Sequence, residues 1–137
     1  MPPRSKKRIL CAETHEDTCR MLTYFLEHQG HEVNSAGTIA DCLRLASDVR
    51  FDLYMIDDDY PDGTNIELCQ QLRRLSPRTP ILFFSSMAYE RDRRRGLEAG
   101  AQVYLTKPGD IVEIAATIAA LLKHADEDAL RAEDSAS

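Results

Sequence analysis

The stretch YMIDDDYPDG, residues 54–63, joins an apolar run to three consecutive aspartates, a proline and a glycine. Adjacent carboxylates repel one another and resist burial, so a chain needing only a turn here would be better served by Asn, Gly or Ser. The aspartates are therefore expected to belong to a cluster completed by residues from elsewhere in the chain. The run that leads into them, FDLYMI (51–56), shows no polar alternation, as in a strand buried on both faces of a parallel sheet. Working outward, RILCA (8–12), PILFF (80–84) and VYL (103–105) have the same character, and HEVNSA (31–36) is a weaker fifth strand.

Segments of helical period separate these runs. Cys19, Leu22, Phe25 and Leu26 precede a stop at Gly30, and Ile39, Leu43, Leu45 and Ala46 follow Thr38, an N-cap residue type. A capping box, Thr64 to Glu67, opens a third helix that buries Ile66, Leu68, Cys69, Leu72 and Leu75 before Pro77 and Pro80. A fourth helix runs from about Tyr89 to Ala99 and stops at Gly100, and Ile111, Ile114, Ala115, Ile118, Leu121 and Leu122 stripe a fifth. Five βα units with right-handed crossovers predict an α/β fold: a doubly wound, five-stranded parallel sheet with helices on both faces.

The chain's 137 residues, 43% of them hydrophobic, are enough for one domain with its own core. We place it at 8–124, between a basic N-terminal arm (1–7) and an acidic tail (125–137), both expected to be loose because they are polar and poor in apolar groups. A net charge of -6 disfavours general binding to nucleic acid or to an anionic membrane. No apolar run approaches the roughly 20 residues a bilayer span requires, and MPPRSKKR lacks a signal core, so a cytoplasmic location is expected. Cys11, Cys19, Cys42 and Cys69 have no C-x-x-C spacing and sit inside apolar patterns, as free thiols packed in a core.

In open parallel sheets, ligands bind outside the carboxyl ends of the strands, where strand order reverses. Those ends carry Glu13, Thr14 and His15 after the first strand, Asp57 to Asp59 after the third, Ser85 and Ser86 after the fourth, and Thr106, Lys107 and Pro108 after the fifth. Acid, hydroxyl and lysine converge on one rim.

Taken jointly, these residues resemble the receiver domain of two-component response regulators: Asp57 with Pro61 and Gly63 behind it, a hydroxyl at Ser85, the E-A-G-A turn (98–101), Tyr104, and the pair Lys107-Pro108. The likeness covers the span from Arg8 to about Lys123. It implies a flavodoxin-like receiver fold and selects Asp57, four residues before the proline, as phosphoryl acceptor. By the same resemblance Lys107 is the cation that neutralises the phosphoryl oxygens, Ser85 hydrogen-bonds one of them, and Glu13, Asp57 and the Asp59 main-chain carbonyl ligate magnesium. Ser85 and Tyr104 are then the switch pair that moves the α4-β5-α5 face on phosphorylation. The side chains of Asp58 and Asp59 are as compatible with a solvated turn as with a role in the site.

Two residues depart from the family pattern. Receivers usually present two adjacent acids after the first strand; here the pair reads Glu13-Thr14, so magnesium is expected to be weakly held. His15, Glu16 or Asp58 could compensate, although histidine prefers softer ions, and an exposed loop position is the simpler reading of His15. The position after Ser85, normally very small, is Ser86. Arg91, Arg93, Arg94 and Arg95 lie on the fourth helix, on the surface receivers use to meet partners or a second copy.

The reading is a phosphoacceptor that signals by binding, not an enzyme. A histidine kinase or phosphotransfer protein would supply the phosphoryl group, and a downstream protein or second receiver would engage the α4-β5-α5 face. Beyond the fifth helix the sequence shows no output segment, as in a stand-alone receiver or a module of a longer chain. The alternative is a pseudo-receiver, a phosphorylation-independent scaffold, motivated by Thr14. A hydrolase on the same fold would need a second acid or a histidine placed to activate water.

Overall fold

A computed structural model describes residues 6–136, leaving most of the basic arm, including Arg4, outside the described residues. The elements alternate without exception: β1 (Arg8–Ala12), α1 (Glu16–His28), β2 (Glu32–Ala36), α2 (Ile39–Asp48), β3 (Leu53–Ile56), α3 (Asn65–Leu75), β4 (Ile81–Ser85), α4 (Glu90–Ala99), β5 (Val103–Thr106) and α5 (Ile111–Ala136). The sheet is parallel throughout, in the order β2-β1-β3-β4-β5. This is the doubly wound, flavodoxin-like arrangement the apolar runs predict.

Successive strand residues point to opposite faces, and both faces are covered, which is why these strands read as unbroken apolar runs. On one face Leu10, Tyr54, Ile56 and Phe83 pack with Cys42, Leu68 and Leu72; on the other, Cys11, Met55, Leu82 and Phe84 pack with Leu22, Leu26, Ile114 and Ile118. Each fully buried large aliphatic side chain contributes about 1.5–3 kcal/mol relative to exposure. All four cysteines are free thiols; Cys11, Cys42 and Cys69 are buried and Cys19 is partly so. Leu75, expected inside, is exposed at the last turn of α3.

The reversal of strand order falls between β1 and β3, where Ala12 pairs with Ile56. The next residues on these two strands, Glu13 and Asp57, therefore emerge side by side. On the far side Ile56 pairs with Phe83 and Ser85 with Thr106, so the ends of β4 and β5 complete the rim.

A loose tail is expected from residue 125, yet α5 continues to Ala136. The acidic segment holds four Ala, two Glu, one Leu and one Arg, all strong helix formers. Pairs at helical spacing support it, His124 with Asp128 (3.6 Å) and Glu127 with Arg131 (3.8 Å). Lys7 reaches Asp126 at 2.7 Å, joining the end of the basic arm to this extension.

Candidate functional site

The β1, β3 and β5 ends bring three charges into contact. The Lys107 Nζ donates to Asp57 Oδ1 at 2.5 Å and to Glu13 Oε1 and Oε2 at 2.9 and 3.3 Å. Both carboxylates are buried. The second Asp57 oxygen, Oδ2, accepts from the Thr14 backbone N–H (3.0 Å) and from its hydroxyl (2.8 Å). Thr14 thus binds the carboxylate of Asp57 instead of adding a ligand beside it.

Burial alone would raise the Asp57 carboxyl. Hydrogen bonds from Lys107 and from the backbone N–H groups of Thr14 and Asp58 outweigh it and hold Asp57 well below the usual carboxylate range. Glu13 moves the other way: burial pushes it up, Lys107 pulls it partly back, and the Asp57 charge adds to the rise. Burial would lower Lys107, but its hydrogen bonds to Asp57 and Glu13 raise it overall, so the ammonium stays charged.

Main-chain contacts fix Asp57 in place. Its N–H is shared between the Ala12 carbonyl (3.2 Å) and the Tyr60 hydroxyl oxygen (3.0 Å), and that hydroxyl donates to Ala12 O at 2.6 Å. Its carbonyl accepts from Asn65 Nδ2 at 3.2 Å. Tyr60 and Asn65 are both buried. Neither was singled out in the sequence, although an Asn opening a helix and a Tyr inside a turn, both beside the acid cluster, were the available signals.

The other two aspartates have separate roles. Asp58 accepts hydrogen bonds from the Ser85 and Ser86 hydroxyls and from the Ser86 N–H, the last at 2.8 Å. Ser85, expected to face a phosphoryl oxygen, instead donates to Asp58 while its oxygen accepts from the Met87 N–H at 3.0 Å. Ser86 is held by the same carboxylate. The Asp59 side chain is exposed and accepts from the Asn65 N–H at 3.1 Å, at the start of α3. Its expected part in metal binding therefore rests on its main-chain carbonyl.

His15 turns toward the site. Its Nδ1 stands 3.1 Å from Glu13 Oε1 and 3.5 Å from Asp57 Oδ2. One ligand atom from each of Glu13, His15 and Asp57 can lie within 4.8 Å of the others, a donor set that fits a divalent cation. Tyr104 is buried, its ring stacked on Phe83 with centroids 5.2 Å apart, and its hydroxyl donates to Met87 O at 2.6 Å. Gly96 on α4 makes room for it, since a Cβ there would stand 2.8 Å from the ring. Ser85 and Tyr104 thus meet at Met87, one at its N–H and the other at its carbonyl.

With this geometry in hand, known proteins give a concordant picture. The family model described as response regulator receiver domain matches residues 9–119. The alkaline phosphatase synthesis transcriptional regulatory protein PhoP of Bacillus subtilis is 34% identical over 120 residues, which cover 88% of this chain and 50% of that protein. The transcriptional regulatory protein PcoR of Escherichia coli is 32% identical over 90% of this chain and 54% of its own length. The chain spans about half the length of these curated relatives. Among solved structures, a CheY-like response regulator receiver domain protein from Methanospirillum hungatei superposes with a TM-score of 0.87 at 26% identity, over 90% of this chain and 99% of that one. The non-phosphorylated HemR receiver domain of Leptospira biflexa gives 0.80 at 30% identity, over 85% and 94%.

Proposed function

We propose, since this chain belongs to the response regulator receiver domain family, that Asp57 is the phosphoryl acceptor of a two-component phosphorelay. The observation that carries this assignment is the pairing of a buried, ionised Asp57 with the Lys107 ammonium at 2.5 Å. A carboxylate kept deprotonated is a nucleophile, and a fixed ammonium beside it meets the charge that gathers on the phosphoryl oxygens.

One Asp57 oxygen attacks phosphorus, an O–P bond forms, and the bond from phosphorus to the donor's leaving group breaks. Lys107 bridges Asp57 and Glu13 before transfer, and it can keep Glu13 while following the new phosphoryl oxygens. Thr14 holds Oδ2 through two hydrogen bonds, which leaves Oδ1, the oxygen that faces Lys107, as the attacking atom. Ser85 and Ser86 must release Asp58 if their hydroxyls are to bind a phosphoryl oxygen. Glu13, Asp57 and the Asp59 carbonyl are the groups here that would hold a divalent ion, magnesium by family habit. When bound, that ion supplies further neutralisation of the phosphoryl charge.

The donor in this reading is a histidine kinase or a phosphotransfer protein, and the setting is the cytoplasm; among the described residues no helix is long and apolar enough to cross a membrane. Output goes through the α4-β5-α5 face, to a downstream protein or a second copy, with Ser85 and Tyr104 coupling it to Asp57 through Met87. The test is incubation with a small phosphodonor and titrated magnesium, read by intact mass. A single phosphate adduct, absent in Asp57→Asn, is expected. An adduct that persists in that variant, or none at any metal concentration, overturns the assignment, and the second result with partner binding intact would mark a scaffold.

A further inference from the structure

We propose that His15 is a metal ligand of this site and that the site therefore prefers a first-row transition ion, such as Mn2+ or Co2+, over Mg2+. This rests on the phosphoacceptor reading above for the purpose of the site, but its evidence is separate.

The first observation is spacing. Bonds of about 2.1 Å to one ion place neighbouring ligand atoms about 3.0 Å apart in an octahedron and about 3.4 Å apart in a tetrahedron. His15 Nδ1 shares a hydrogen bond of 3.1 Å with Glu13 Oε1 and stands 3.5 Å from Asp57 Oδ2, and both separations also match edge lengths of this kind.

The second is charge. The side chains of Glu13 and Asp57 are 3% and 0% exposed and face one ammonium, Lys107, so one negative charge in the buried group is left without a permanent counter-charge. Buried charge of this sort requires a partner. His15, 63% exposed, sits at the open side of the pair, where an ion could enter from solvent.

The third is ligand chemistry. Thr14 commits both its N–H and its hydroxyl to Asp57 Oδ2, so the position where receivers carry a second acid supplies no anionic oxygen. Magnesium binds through hard, charged oxygens and its own waters, and imidazole adds little to it. Cobalt and zinc accept imidazole readily; manganese, the weakest of the first-row series, still gains more from a nitrogen ligand than magnesium does. Replacing an acid by threonine and turning a histidine into the site therefore exchanges one class of ion for another.

Calorimetric titration with Mn2+, Co2+ and Mg2+ tests this in the whole chain, together with pulsed EPR of the Mn2+ complex to detect coupling to a ligand nitrogen. Wild type is expected to bind Mn2+ and Co2+ at least about tenfold tighter than Mg2+, with nitrogen coupling present. His15→Ala should lose the coupling and about tenfold in Mn2+ and Co2+ affinity, with Mg2+ changing less than about twofold. Thr14→Asp should move the preference back toward Mg2+. Absent nitrogen coupling, coupling that survives in His15→Ala, or equal loss for all three ions would overturn the inference. The two readings fail separately. An Asp57 adduct in a wild type that binds Mn2+, Co2+ and Mg2+ with equal affinity removes the ion preference and keeps the acceptor, whereas selective, His15-dependent binding without any adduct does the reverse.

Discussion

Two of the chain's runs of like charge, Asp57 to Asp59 after β3 and Arg93 to Arg95 on α4, meet opposite fates. The aspartates are each engaged: one by an ammonium, one by two serines, one by a helix start. The three arginines are exposed, and among the described residues none of them forms an ion pair, although Arg91 lies over the Tyr89 ring at 5.1 Å. The difference comes from what precedes each run. A strand buried on both faces delivers its next residue into the interior at a fixed point, whereas a helix distributes consecutive residues around its circumference and can leave them in water. A charge run is informative when the element before it leaves no choice about where it goes.

The largest test of this contrast is Lys107→Ala. It strands two buried carboxylates and should cost about 3–5 kcal/mol in urea unfolding. A loss below about 1 kcal/mol would mean that solvent already screens the group as it screens the arginines. Asp58→Ala comes next, because it leaves the buried Ser85 hydroxyl without its acceptor. A loss of about 1–3 kcal/mol in the same assay is expected.

Asp57→Asn should act mainly on pH dependence. The depressed Asp57 carboxyl contributes stability that is complete above about pH 4 and disappears as pH falls through its lower folded value, so the variant's stability curve should be flatter on the acid side. Glu13 works in the opposite sense, its raised carboxyl contributing a cost that grows as pH rises past the ordinary glutamate value, and removing the Asp57 charge should soften it. A variant curve parallel to wild type at low pH would show that Asp57 is not the ionised partner. The smallest effect belongs to α4: Arg94→Ala should change stability by less than about 0.5 kcal/mol. A larger change would mean that the arginine run is structurally engaged after all.

The fold was legible because doubly buried strands leave an unbroken apolar signature and because glycine, proline and capping residues punctuate the helices between them. Glu13, Asp57 and Lys107 were legible for the same reason, since strand ends in this topology meet at one rim. Less could be read where the outcome depended on loop geometry. His15 reads as a solvent-facing loop residue, and only the path from β1 into α1 turns its ring to Glu13. Asp58 follows Asp57 directly but bonds across to β4, a contact with no periodicity to announce it. Asp62 likewise accepts from Ile39 and Ala40 N–H groups and so caps α2 from a distant loop. The α5 extension was misread because an acidic composition was weighed above helix propensity and pairs of opposite charge.

The seat of the Tyr104 ring under Gly96 carries one more consequence. The ring fills a niche that exists because α4 has a hydrogen where any other residue would place carbon. Were the ring to swing out, α4 would have no side chain at position 96 to fill the space it leaves, and packed interiors do not keep such holes open at no cost. Motion of the ring is then expected to bring motion of α4 with it, so that the stance of one aromatic plate and the height of the helix become a single coordinate.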